Sequence, residues 1–109
     1  MATSHAQPGE VVDLATWGDE LPETHSKTIT KQERMELARI VLRAGEAWGD
    51  HRVDGPIVVQ CLSGHLRFRI GTEERTLTAG RLLYLAGGEP HALYAETDST
   101  ILLTIVFVG

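Results

Sequence analysis

Basic residues are in short supply: ten Lys and Arg stand against fifteen Asp and Glu, for a net charge of −5. No basic stripe runs along the chain, which excludes nucleic acid and anionic membrane surfaces as expected partners. Cysteine is nearly absent. The single Cys61 rules out an internal disulfide and suits a reducing compartment. No apolar run approaches the ~20 residues that a membrane-spanning helix needs. The N-terminal stretch MATSHAQPGE lacks the basic and apolar regions of a secretory signal, and a cytoplasmic location is expected. Helix signals are also scarce. Met35–Leu42 contains good helix formers, but no clean capping box precedes it, Gly45 follows closely and everything downstream reads as strand, so it is assigned as β.

What the chain does contain is a series of short apolar runs cut by glycine. Its 109 residues suit one domain. Pro56–Ile70 is the centrepiece. Residues 57–62 are apolar apart from Gln60 and Cys61, and His65, Arg67 and Arg69 then alternate with Leu66, Phe68 and Ile70. The alternation and the Ser63-Gly64 turn between the runs predict a β-hairpin. Further strands are expected at Val11–Leu14, Ser26–Thr30, Arg75–Thr78, Arg81–Leu85, His91–Ala95 and Ile101–Val108. Loops are expected at residues 19–25, Ala44–Asp50 and Ala86–Pro90. Short strands with glycine-rich turns and no convincing helix predict an all-β sandwich or small antiparallel barrel. Residues 1–24 read as a partly disordered extension, a candidate edge or swapped strand, and residues 25–109 as the barrel domain. Several strands are apolar on both faces. One face can line the interior and the other needs a cover, which predicts a homodimer through an outer sheet face.

Five residues separate Gly45 from His51, and Gly64 follows. Later come Gly80, Gly88 and His91 in the loop Gly87-Gly88-Glu89-Pro90-His91. This spacing resembles the cupin superfamily, small jelly-roll β-barrels with the motifs G-x5-H-x-H-x3,4-E-x6-G and G-x5-P-x-G-x2-H-x3-N. In the first motif Gly45, His51 and Gly64 match, while the second histidine falls on Val53 and the glutamate on Ile57. In the second, Gly80, Gly88 and His91 match, while the proline falls on Ala86 and the asparagine on Ala95. The resemblance implies a divalent metal, commonly Fe, Mn, Ni, Cu or Zn, held by the two histidines and the glutamate of the first motif and the histidine of the second. Here only His51 and His91 remain of that set. A divalent ion wants three or four donors, and the missing carboxylate would have supplied negative charge.

His51 and His91 are therefore the candidate polar groups at the barrel mouth. They would contact a ligand, move a proton as general acid or base, or hold a divalent metal (Fe, Mn, Ni or Zn) with help from water, Gln60, Glu46 or Glu89. The plainer alternative is two turn histidines satisfied by backbone carbonyls. The expected apolar lining is Val53, Ile57, Val59, Cys61, Leu93 and Ala95. Gln60 is either a ligand-orienting group within that lining or, by strict alternation from Ile57, a residue of the outer face. Cys61 is expected to be an inert small hydrophobe. Arg52 and Arg81 flank the pocket-forming segments and are weak candidates for holding a carboxylate. Trp48 and Tyr84 either line the mouth or simply pack.

The leading reading is a homodimer that binds a small organic molecule, with proton transfer or isomerisation as its chemistry, if any, and no complete metal site. The alternatives are a metal-dependent dioxygenase, decarboxylase or isomerase with a reduced ligand set, and a non-catalytic sensor or interaction module. No second domain is apparent, so a fused transcription regulator is not expected.

Overall fold

In the structure, a computed structural model, residues 5–14 and 26–108 are described. They form nine strands and no helix. These are β1 Lys27–Lys31, β2 Met35–Leu42, β3 Ala47–His51, β4 Ile57–Ser63, β5 His65–Ile70, β6 Glu73–Thr78, β7 Leu82–Leu85, β8 His91–Ala95 and β9 Ser99–Val106. Two antiparallel sheets result, one ordered β1-β2-β9-β4-β7 and the other β3-β8-β5-β6.

The expected Pro56–Ile70 hairpin does not form. β4 pairs with β7 and β9 in one sheet, whereas β5 pairs with β6 and β8 in the other. The Ser63-Gly64 step is a corner that carries the chain from sheet to sheet. Local sequence shows only that two strands adjoin a turn; it does not show whether they pair with each other. Gly64 makes the corner possible. Its φ is +95°, and a Cβ there would overlap Ser99 Oγ and the Asp98 carbonyl. The motif glycines Gly45, Gly80 and Gly88 also have positive φ, the backbone region that L side chains adopt with strain.

Alternation sets the two faces of each strand. On β4, Ile57, Val59 and Cys61 are buried while Val58, Gln60 and Leu62 are half-buried on the other face. On β5, Leu66 and Phe68 are fully buried and Arg67 and Arg69 exposed, as the sequence pattern implies. The inner faces meet in a core that includes Leu42, Val59, Leu66, Phe68, Leu77, Ala95 and Ile101. Each large apolar side chain so buried stabilises the fold by about 1.5–3 kcal/mol.

Two further expectations differ from the structure. Val11–Leu14 is not a strand, and Val11 is 91% exposed; four residues with no neighbouring strand have nothing to ladder with. The Ala6 amide ties this region to the sheet by donating to the Ile29 carbonyl at 2.7 Å. Ala44–Asp50, expected as a loop, contributes β3, which pairs with β8. Its glycines favour a turn locally, and pairing with a preformed neighbour overrides that preference. Residues 19–25 lie outside the described residues.

Candidate functional site

A cavity of about 120 Å³ lies between the sheets, toward the end where the β3–β4 and β7–β8 connections meet. One wall is Ile57 and Val59 of β4 with Ile101, Leu103 and Ile105 of β9. The other is Trp48 of β3, Phe68 of β5 and His91 and Leu93 of β8, with Val53 from the β3–β4 connection. The two connections are pinned together. The Gly88 amide donates to the Val53 carbonyl at 2.7 Å, and a Cβ on Gly87 would overlap the Asp54 carbonyl. This close approach fixes Val53 and His91 on the same rim.

His91 is 9% exposed. Its ring stacks on Phe68, with centroids 5.5 Å apart and planes 15° from parallel. Nδ1 lies 3.1 Å from the Glu89 carbonyl oxygen. A carbonyl only accepts, so Nδ1 carries the proton and, in the neutral ring, Nε2 has acceptor character. Stacking and this bond together hold the ring plane against the cavity.

β3 carries an irregularity at the site. Trp48 is opposite Leu93 and His51 opposite His91, so β3 uses three residues where β8 uses two. The extra residue shifts the strand's alternation by one, as a β-bulge does, and places position 51 across the ladder from His91. The His51 side chain lies outside the described atoms.

Of the residues singled out from sequence, His91, Val53, Ile57, Val59 and Leu93 line the cavity. Cys61 and Ala95 are both 0% exposed but sit in the core away from it. Burial pushes the Cys61 thiol above its ordinary pKa, partly opposed by a backbone hydrogen bond from Ser63; this is an inert, protonated thiol. Gln60 does not reach the cavity. It is opposite Leu82 and Leu102 on the outward side, because it alternates with the buried Val59 and Cys61. Arg52 and Arg81 are exposed and do not line the cavity. Trp48 lines it, whereas Tyr84 is 65% exposed on the outer face. Sequence reasoning missed Phe68 and the β9 wall. Ile101–Val108 reads as a strand apolar on both faces, so nothing local says which face turns inward or that β9 lies in the middle of its sheet.

The donor set does not suit a metal. Val53 and Ile57, at the motif positions of a histidine and a glutamate, contribute only hydrocarbon to the cavity wall. Glu46 is exposed, and its carboxylate accepts from the Arg43 amide at 2.7 Å, closing a turn. Among the described residues no three of His, Cys, Asp and Glu come together as a metal-binding group.

A larger groove of about 310 Å³ lies between Arg67, Arg69, Glu74 and Tyr94 on the outside of the second sheet. Arg67 lies 5.2 Å from the centroid of the Tyr94 ring and pairs with Glu96. This is an open, solvated surface, where such pairs contribute little.

The model of the AraC-like ligand binding domain family matches residues 36–106. No curated protein matches the sequence. Among solved structures, a conserved protein of unknown function from Streptococcus pyogenes superposes with a TM-score of 0.80 at 25% identity, covering 100% of this chain and 99% of that one. A cupin superfamily protein from Desulfitobacterium hafniense gives a TM-score of 0.80 at 14% identity over 97% of both chains. A predicted oxalate decarboxylase from Thermotoga maritima gives 0.70 at 22% identity, covering 76% of this chain and 79% of that one. The fold is that of the cupins.

Proposed function

The chain belongs to the AraC-like ligand-binding domain family, and from that premise we propose that it binds a small organic molecule in the cavity between its sheets, with His91 and His51 as the polar groups of the site. The observation that carries this reading is the cavity itself: an apolar space with one oriented imidazole on its wall, the composition expected of a small-molecule site. His51 is included because it stands opposite His91 in the β3–β8 ladder. Proton transfer or isomerisation, with a histidine as general base, is the chemistry this pair would support. In this reading residues 25–109 form the barrel domain and residues 1–24 an extension of it. Isothermal titration against a library of small organic molecules tests it. Binding should weaken at least tenfold in His91→Ala or His51→Ala, and unchanged affinities in both variants would remove the site assignment.

The protein is further proposed to act as a homodimer through the outer face of its five-stranded sheet. Val58, Gln60, Leu82, Tyr84, Leu102 and Thr104 adjoin one another there by register, and none is charged. Leu82 and Tyr84 are 58% and 65% exposed. An uncharged, largely apolar patch in an acidic protein fits a second copy of itself better than a charged partner; Arg39, which adjoins the patch opposite Leu102, is itself buried at 1% exposure. Light scattering should report twice the chain mass, falling to one in Tyr84→Glu. A monomer at micromolar concentration would refute this. The single buried thiol suits a reducing compartment, and the cytoplasm is the proposed location.

A further inference from the structure

We propose that the ligand is uncharged, predominantly apolar and about the size of one six-membered ring, not a sugar and not a carboxylate. This rests on the binding reading above and narrows it. Size comes first. A cavity of about 120 Å³ is slightly smaller than the ~150 Å³ engineered cavity that accommodates benzene, so it admits a single ring or a short branched chain.

Chemistry narrows the class further. Among the described lining residues only His91 and Trp48 carry polar side-chain atoms; the other eight are Val, Ile, Leu and Phe. A sugar would bring four or five hydroxyls into this space. Each hydroxyl buried without a partner lowers affinity about tenfold or more, so such a ligand would lose its affinity long before it was enclosed. A carboxylate fares worse. The described wall contains no arginine or lysine to balance it, and a buried charge without a counter-charge is strongly disfavoured. The arginines nearest in sequence do not help, since Arg52 is exposed elsewhere and Arg67 and Arg69 point to the outside of β5. A phenol-like or small heteroaromatic molecule meets the limits of both size and wall chemistry.

The test is titration of the full chain with toluene, phenol, benzoate and glucose, followed by calorimetry and by chemical shifts of the cavity methyl groups. Toluene and phenol should bind saturably, at least tenfold more tightly than benzoate or glucose. Leu103→Trp, which fills the cavity, should abolish binding of both aromatics. Val59→Ile, a milder filling, should weaken it should the larger change prevent folding. Tighter binding of benzoate or glucose would overturn the ligand class while leaving the binding reading intact. No binding by any of the four would overturn both. Aromatic binding undiminished in the filled variants would place the ligand elsewhere and overturn the inference.

Discussion

Replacing Gly64 with alanine probes the corner on which the two-sheet architecture turns. Two effects add. At φ +95° the backbone lies outside the compact left-handed well, and a non-glycine residue held in such a region costs about 1–3 kcal/mol. The new methyl also meets Ser99 Oγ and the Asp98 carbonyl. Ser99 is 2% exposed, accepts from the His65 amide at 3.1 Å and donates to the Thr97 carbonyl at 2.8 Å. Displacing it strands the partly buried His65 amide, at about 1–3 kcal/mol. Gly64→Ala should therefore destabilise by about 2–6 kcal/mol, a large part of the roughly 5–15 kcal/mol expected of a domain. Gly71 supplies the control. Its φ is also positive, at +60°, but a Cβ there meets nothing within 4 Å, so Gly71→Ala should cost only about 1–2 kcal/mol. Urea unfolding followed by tryptophan fluorescence separates the two. With m of about 1–3 kcal/mol/M, the midpoint of Gly64→Ala should fall about 1 M below that of Gly71→Ala. Equal midpoints would mean that the close approach of β9 to the corner contributes nothing, and the reasoning would fail.

The Phe68–His91 stack should appear as a coupling of about 0.5–1.5 kcal/mol in a double-mutant cycle of Phe68→Leu and His91→Leu; strictly additive losses would show that the rings do not support each other. Native Cys61 should react with a thiol reagent at pH 8 far more slowly than the urea-unfolded chain, and fast labelling would contradict its burial. The same thiol sets a pH dependence. Its folded pKa is raised, so over a span of alkaline pH the folded state keeps a proton that the unfolded chain has lost. Its contribution is then fully present below the ordinary value of 9.0 and is lost as pH rises toward and through the raised one. Cys61→Ala should flatten that alkaline decline in unfolding free energy, and an unaltered decline would assign it to other groups. Protein purified without chelator should contain substoichiometric Fe, Mn, Ni and Zn by elemental analysis, because the described cavity wall offers hydrocarbon where a third and fourth donor would stand. A full equivalent, lost on replacing both His51 and His91, would contradict that expectation.

Strand content was readable because alternation is a local property. Leu66 and Phe68 against Arg67 and Arg69 need no partner to declare which side is buried, and His91–Ala95 falls where its composition places it, whereas Met35–Leu42 is a strand despite its helix-forming residues, as the lack of a cap and the nearby Gly45 imply. The glycine spacing was readable for a related reason. Each motif glycine answers a backbone demand at its own position, and those demands recur across one fold whatever the pocket contains. The loss of metal donors at Val53 and Ile57 was also plain from residue type alone.

What sequence could not decide was which strands are neighbours. Ser63-Gly64 reads the same as hairpin turn or as intersheet corner, and only the pairing of β4 with β9, and of β5 with β8, distinguishes them. The pocket depended on that outcome. Phe68, Ile101, Leu103 and Ile105 become its walls only once β9 lies inside one sheet and β5 faces it from the other, while Cys61 and Ala95, equally apolar and equally inward, fall beyond it. The strand at Ala47–His51 is the same lesson in miniature. Gly49, and Gly45 just before it, argue locally for a loop, and the ladder to β8, with one extra residue in β3, makes it an edge of the site. Side-chain character is carried by each residue separately and can be read one position at a time. Enclosure is a relation among segments distant along the chain, and it exists only after the sheets have packed.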